Sequence, residues 1–115
     1  MALTGAFQPM GPTYLVQQGT AGTQSNAVAI SASSPCQQYF ISNSDTSNAA
    51  FVSISTSSTA NATVPTNTGA MVFSIPAFGY QTITSVQTSP TQTTYVRVIG
   101  SAGTPAVYVT PGEGV

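Results

Sequence analysis

The segment Ala50-Phe51-Val52-Ser53-Ile54-Ser55-Thr56 decides the class of fold. Ala50, Val52 and Ile54 recur at every second residue and share one face, while Phe51, Ser53 and Ser55 share the other, the period of a strand buried on one side. Thr94-Tyr95-Val96-Arg97-Val98-Ile99 alternates in the same way, with Val96 and Val98 on one face and Tyr95, Arg97 and Ile99 on the other. Outward from these two, strands are expected at residues 14–17, 27–31, 38–42, 50–56, 71–75, 80–85, 93–99 and 106–110, divided by clusters of turn-forming residues. Val and Ile number 17 against 2 Leu, and Lys, Glu and Arg are nearly absent, so β propensity dominates throughout. No segment carries a 3.6-residue apolar period. About eight short strands without crossover-sized helices predict an all-β protein. The expected architecture is an antiparallel two-sheet sandwich, jelly-roll-like, with an immunoglobulin-like sandwich as the alternative.

A chain of 115 residues accommodates one domain. Gly5, Pro9, Gly11 and Pro12 break the first thirteen residues, which are expected to form an extended arm that no helix or central strand absorbs, and arms of this kind reach neighbouring subunits. The sandwich is expected over residues 14–110. Pro111-Gly112-Glu113-Gly114-Val115 is expected to be a short tail. Ser55 to Gly69 is a polar loop in which Ala62-Thr63-Val64 offers a short edge strand. Leu, Ile, Val and Phe make up 24 of the 115 residues, enough for a core but with little margin, and oligomerisation or docking would add buried surface.

Only Asp45, Arg97 and Glu113 are charged, giving a net charge of −1, and the chain has no His, Lys or Trp. One cation cannot displace a counterion atmosphere from phosphates, so electrostatic nucleic-acid binding is excluded. Without imidazole the usual general base and metal ligand are missing, and no cofactor or metal is expected. Ser and Thr together number 33, with 9 Gln and 5 Asn, and these supply the water-facing polarity instead. Burying an unpaired charge is costly, whereas a hydroxyl or amide that finds a partner is not, so a neutral polar exterior suits lasting assembly. The longest apolar run, about Ala70 to Phe73, is far too short to span a bilayer, so no membrane partner is expected. Residues 1–7 lack the pattern of a signal peptide, which points to synthesis in a cytoplasm.

Tests for catalytic constellations yield little. Asp45 and Glu113 would have to face each other across a cleft to act as a glycosidase pair, and a Glu between two glycines is poorly held for that. Asp45-Thr46-Ser47 matches the aspartic-protease triplet, but Asn43-Ser44 before it and Asn48 after it read as an Asx-type turn. A Ser or Thr nucleophile would lack an activating His or Lys, so no enzymatic activity is expected. Cys36 reads as a small, semi-buried hydrophobe. Arg97 sits mid-strand, either solvated or holding a carboxylate, Glu113 or Asp45, or backbone carbonyls. Asn61-Ala62-Thr63 matches a glycosylation sequon that is expected to be coincidental. The five Tyr and five Phe offer a sugar-stacking or partner-binding platform, but most are expected in core and cross-strand packing.

The order of residues in the second half resembles a family. Ala50-Phe51-Val52, Phe73-Ser74-Ile75-Pro76 followed by Gly79-Tyr80, Tyr95-Val96-Arg97-Val98-Ile99 and the ending Val107-Tyr108-Val109-Thr110-Pro111-Gly112-Glu113-Gly114 resemble the head decoration, or cement, proteins of tailed bacteriophages. The pattern covers about residues 38–114, and its distinctive motif is the Tyr-Val-Thr-Pro-Gly-Glu-Gly ending. The resemblance implies a jelly-roll-like sandwich on the outer capsid surface, oligomeric as a homodimer or else a trimer, that clamps major capsid protein subunits. It carries no catalytic residue. The subunit or capsid contacts expected on this reading are Phe7, Pro9, Tyr14, Arg97, Pro111 and Glu113. The alternative is a glycan- or receptor-binding module of a phage fibre or spike.

Overall fold

A computed structural model describes residues 7–114. Among the described residues nine strands run in chain order: β1 (Gln8–Pro9), β2 (Tyr14–Gln17), β3 (Val28–Ile30), β4 (Cys36–Asn43), β5 (Ala50–Ser55), β6 (Phe73–Ile75), β7 (Tyr80–Thr88), β8 (Thr94–Gly100) and β9 (Ala106–Glu113). They form two sheets. The first has the order β1-β9-β4-β7, with β2 following β1 along the same edge of β9, and the second has the order β3-β8-β5-β6. All pairings are antiparallel: β2 with β9, β3 with β8, β4 with β7 and β5 with β6 form one long hairpin, and β4 with β9 and β5 with β8 close it into two layers. A hairpin rolled up in this way is a jelly roll, not an immunoglobulin-like sandwich.

The alternation read in the sequence sets the inside of the sandwich. Val52, Val96, Val98 and Ile75 from one sheet meet Val16, Tyr39, Ile41, Val107 and Val109 from the other, all fully buried. Tyr39 brings a hydroxyl into this core, and it donates to the Val86 carbonyl at 2.7 Å, so the polar tip is paired where the ring is dry. Burial pushes its pKa above the ordinary tyrosine value. Cys36 is buried as well, more deeply than expected, and desolvation, aided by the negative charge of Glu113, raises its thiol pKa.

Two expected boundaries differ. Residues 111–113 are not a tail: β9 runs through Pro111 and Gly112 to Glu113, with Gly112 opposite Gln38 and Pro111 opposite Tyr39. Proline is tolerated in this inner strand because of where its missing N–H would point. The N–H and C=O of one strand residue face the same neighbour, and the Pro111 carbonyl accepts the Met10 N–H at 2.8 Å, on the side where the edge is broken between β1 and β2. No ladder bond to β4 is therefore lost. The described part of the arm, residues 7–13, folds back on its own sheet. Gln8 and Pro9 pair with Glu113 and Gly112, and the Phe7 ring lies where a Gly112 side chain would be. Residues 1–6 and 115 lie outside the described residues, so the expectation for those parts of the arm and tail falls there. At β6, Met71 and Val72 leave the ladder and pairing starts at Phe73. The segment 62–64 forms no strand; Ala62 is instead buried, its N–H given to Gln24 Oε1 at 2.7 Å.

At one end of the sandwich the turns are built from neutral side chains. Buried Asn43 donates through Nδ2 to the carbonyls of Asn48 (2.9 Å), Ile75 and Pro76 (both 3.3 Å), and its Oδ1 accepts the Asp45 N–H at 3.0 Å. One amide thus ties the β4–β5 turn to the β6–β7 turn. Asp45 closes its own Asx turn, its Oδ1 accepting the N–H groups of Ser47 (2.8 Å) and Asn48 (2.9 Å). Those two backbone donors, Ser47 first, hold the carboxyl pKa below its ordinary value.

Asn43→Ala strips donors from buried carbonyls and is expected to cost about 2 kcal/mol, lowering the melting temperature by about 10 °C for a domain of this size, as read by thermal unfolding. Asp45 has a lower pKa folded than unfolded, so its contribution is present above the unfolded value of about 3.9 and is lost as pH falls through the folded value. Thermal unfolding between about pH 5 and pH 2 should therefore show a steeper acid loss in the native chain than in Asp45→Asn.

Candidate binding face

The two sheets present different outer faces. On the second, Arg97 of β8 stands opposite Ser53 of β5, and a long loop lies over them. The guanidinium donates from Nη1 to the Ser25 carbonyl (3.2 Å) and from Nη2 to the Ser58 carbonyl (2.9 Å), pinning the β2–β3 and β5–β6 loops to the sheet. Gln24 holds the same loop through Asn61 Oδ1 (2.8 Å), the sequon asparagine. Ser53 and Ile99, which alternate with the core residues and would otherwise face water, are buried beneath this cover. Of the partners considered for Arg97, backbone carbonyls are those it holds.

The outer face of the first sheet is open. Cross-strand register places Leu15 of β2 opposite Tyr108 of β9, Tyr108 opposite Ser42 of β4, and Ser42 opposite Tyr80 of β7, one row across four strands. Leu15 is 48% exposed, Tyr108 44% and Tyr80 68%. Phe40, two residues before Ser42 on the same face, lies between the Phe7 ring at 5.8 Å and the Tyr80 ring at 5.6 Å, both tilted. Phe7, Phe40 and Tyr80 thus form an aromatic ridge that meets the row at Tyr80. Around them the face carries only neutral groups: Gln38, Thr82 and Thr84, and Thr110, whose hydroxyl shares a 2.7 Å hydrogen bond with that of Thr13. Neighbouring strands are about 4.8 Å apart, so Tyr80 and Tyr108, with β4 between them, stand roughly 10 Å from one another.

Four of the contact residues expected from the sequence come together at one corner. Phe7, Pro9, Pro111 and Glu113 meet where β1 runs beside the end of β9, with Pro111 buried and Pro9 and Glu113 exposed. Tyr14 lies at the rim, its hydroxyl 3.4 Å from both the N–H and the carbonyl of Ser31. Arg97 is on the opposite sheet. Glu113 lies beside the Cys36 end of β4 and Asp45 beyond its other end, because Gly112 pairs with Gln38 while Asp45 follows Asn43. The stretch from Gln38 to Asn43 alone spans about 17 Å, far from the 5–9.5 Å of a glycosidase pair.

Most aromatic residues sit in core or ring-to-ring packing, as expected: Tyr39 lies in the core, Tyr14 and Phe73 pack against it, and Phe7, Phe40 and Tyr80 contact one another. Tyr39 is the one aromatic side chain among the described residues that is fully buried; Phe78, Tyr80 and Tyr108 are exposed and the rest are half-buried. Leu15, Phe40, Tyr80 and Tyr108 are not among the contact residues expected from the sequence. A signal for two of them is present: in Tyr14-Leu15-Val16 and Val107-Tyr108-Val109 three apolar residues stand in a row, and in a strand the middle one must face away from its neighbours. No family model, no curated protein and no solved structure matches this chain.

Proposed function

We propose that this protein is a non-enzymatic structural component of a bacteriophage particle. In this reading it decorates the outer surface of the capsid and stabilises it by bridging major capsid protein subunits. The observation that carries the reading is the charge-free aromatic row Leu15–Tyr108–Ser42–Tyr80 on an open sheet face. Such a face loses little on leaving water: its tyrosines bury large ring area while the phenol and hydroxyl tips find partners, and no ion must be stripped of its hydration. Stable interfaces centre on aromatic anchors surrounded by polar groups, which is the composition found here. The resemblance in pattern expected over residues 38–114 points to the same reading, and the jelly-roll strand order is compatible with it. Repetition over a shell multiplies a modest contact into a large total adhesion.

A glycan-binding module is the second reading, favoured by one observation: two exposed tyrosine rings roughly 10 Å apart flank the Ser42 hydroxyl, an arrangement on which sugar rings could stack.

Purified protein added to undecorated phage heads should bind in fixed stoichiometry and raise their disruption temperature. Tyr80→Ala and Tyr108→Ala should each weaken that binding by about thirty-fold, the scale of a hot-spot residue, with the thermal unfolding of the free protein little changed. Failure to bind heads, combined with selective retention on a glycan array that the same two substitutions abolish, would favour the second reading.

A further inference from the structure

Phe78 combines two features that do not occur together elsewhere among the described residues. It is the one non-glycine residue there with positive φ, at 59°, and its ring is 77% exposed. A bulky side chain in this region of backbone space is strained and persists only when its surroundings over-determine it. Three hydrogen bonds do so: Phe78 N–H to the Asp45 carbonyl (2.8 Å), Gly79 N–H to the Pro76 carbonyl (3.0 Å) and Asn43 N–H to the Gly79 carbonyl (2.8 Å). The phenyl ring is therefore held out from a stiff turn at the end of the molecule where β5 begins.

Towards the other end of β5 the sandwich has an apolar opening. Because β6 starts only at Phe73, the core-facing Ile54 has no β6 residue beside it, and a gap remains between the two sheets. Two adjoining clefts of about 340 and 410 Å³ share Ile54, Met71 and Val86, and Phe73 lines the first. Met71 stands at the mouth, 97% exposed. A cavity of about 150 Å³ lined by aliphatic side chains accepts benzene, so either cleft has room for a phenyl ring. None of the three charged residues lines the groove.

We infer that copies of this chain associate head to tail, the Phe78 ring of one entering the Ile54–Met71–Val86 groove of the next. The ring lies beyond the start of β5 and the groove towards its other end, so Phe78, fixed in its turn, does not reach its own groove, and the contact joins two different surfaces. Such a heterologous contact closes into a ring or extends as a filament, whereas a two-fold dimer would use one surface twice. The chemistry matches on both sides: an exposed aromatic ring meets a groove whose shared residues Ile54, Met71 and Val86 are apolar and whose remaining lining is neutral, with no charge to dehydrate. The inference is independent of what the open sheet face binds.

Two variants test it. Phe78→Gly removes the ring and relieves the positive φ, so the fold is retained while the ring is lost. Met71→Glu alters a fully exposed residue and places a carboxylate at the mouth of the groove, opposing entry of an apolar ring. Sedimentation velocity up to millimolar concentration should show the native chain assembling and each variant weakened by about thirty-fold or more. An equimolar mixture should form a one-to-one heterodimer and nothing larger, because Phe78→Gly still offers its groove and Met71→Glu still offers its ring. A native chain that stays monomeric, a Phe78→Gly variant that assembles like the native chain, or a mixture that gives no heterodimer would each overturn the inference.

Discussion

The structure depends on neutral amides and hydroxyls taking the place that charged groups and helix caps hold in other small domains. A jelly roll carries its chain from one sheet to the other at nearly every connection, and each crossing leaves backbone groups outside a ladder. Asn43 gathers three carbonyls at the β4–β5 and β6–β7 turns. Buried Gln18 accepts the Gly100 N–H at 2.8 Å and donates to the Thr20 carbonyl at 3.0 Å, ending β8 and fixing the departure of β2. Ser25 Oγ accepts the Val98 N–H at 2.9 Å, and Thr88 Oγ1 reaches the Ile30 carbonyl at 3.1 Å in the opposite sheet. Each of these side chains is buried and paired. An ionised group in the same positions would carry a desolvation cost that these do not. The low charge of the chain and its topology are thus two aspects of one solution.

How much of this could be read from the sequence follows from the range of the forces involved. Strand identity is local, set by alternation and by β-branched residues, and the eight expected strands correspond to β2 through β9. The sandwich class follows because no helix is available to cover a sheet. Pro111 was the misleading residue. Proline marks a strand end when its N–H is needed, but whether it is needed depends on Met10 and the break in the neighbouring edge, a hundred residues away in the chain. The cover over the second sheet was likewise hidden: Ser55 to Gly69 reads as solvent-exposed loop, and what holds it is a set of remote partners, Arg97 and Gln24. The aromatic row is a property of register between strands, so no single segment displays it, although the apolar triplets at Leu15 and Tyr108 mark two of its members.

The asymmetry between the two faces gives the molecule a front and a back. On the second sheet a lone cation is spent on pinning loops, and residues that would face water are covered. On the first, the chain leaves Leu15, Tyr80 and Tyr108 uncovered and surrounds them with hydroxyls and amides. The Phe7–Gly112 contact lies at the border of that open face, so the N-terminal segment both seals the outer edge of β9 and contributes a ring to the surface. Sealing matters because an uncovered edge of that length would recruit any passing strand.

The position of β9 also constrains how the molecule comes into being. β9, the last described strand in chain order, sits inside the first sheet, between β1 and β2 on one side and β4 on the other. Without it, β2 and β4 have no common neighbour, and the inner layer lacks Val107 and Val109. Partial chains therefore cannot fold progressively from the beginning, and pairing of such distant segments is slow.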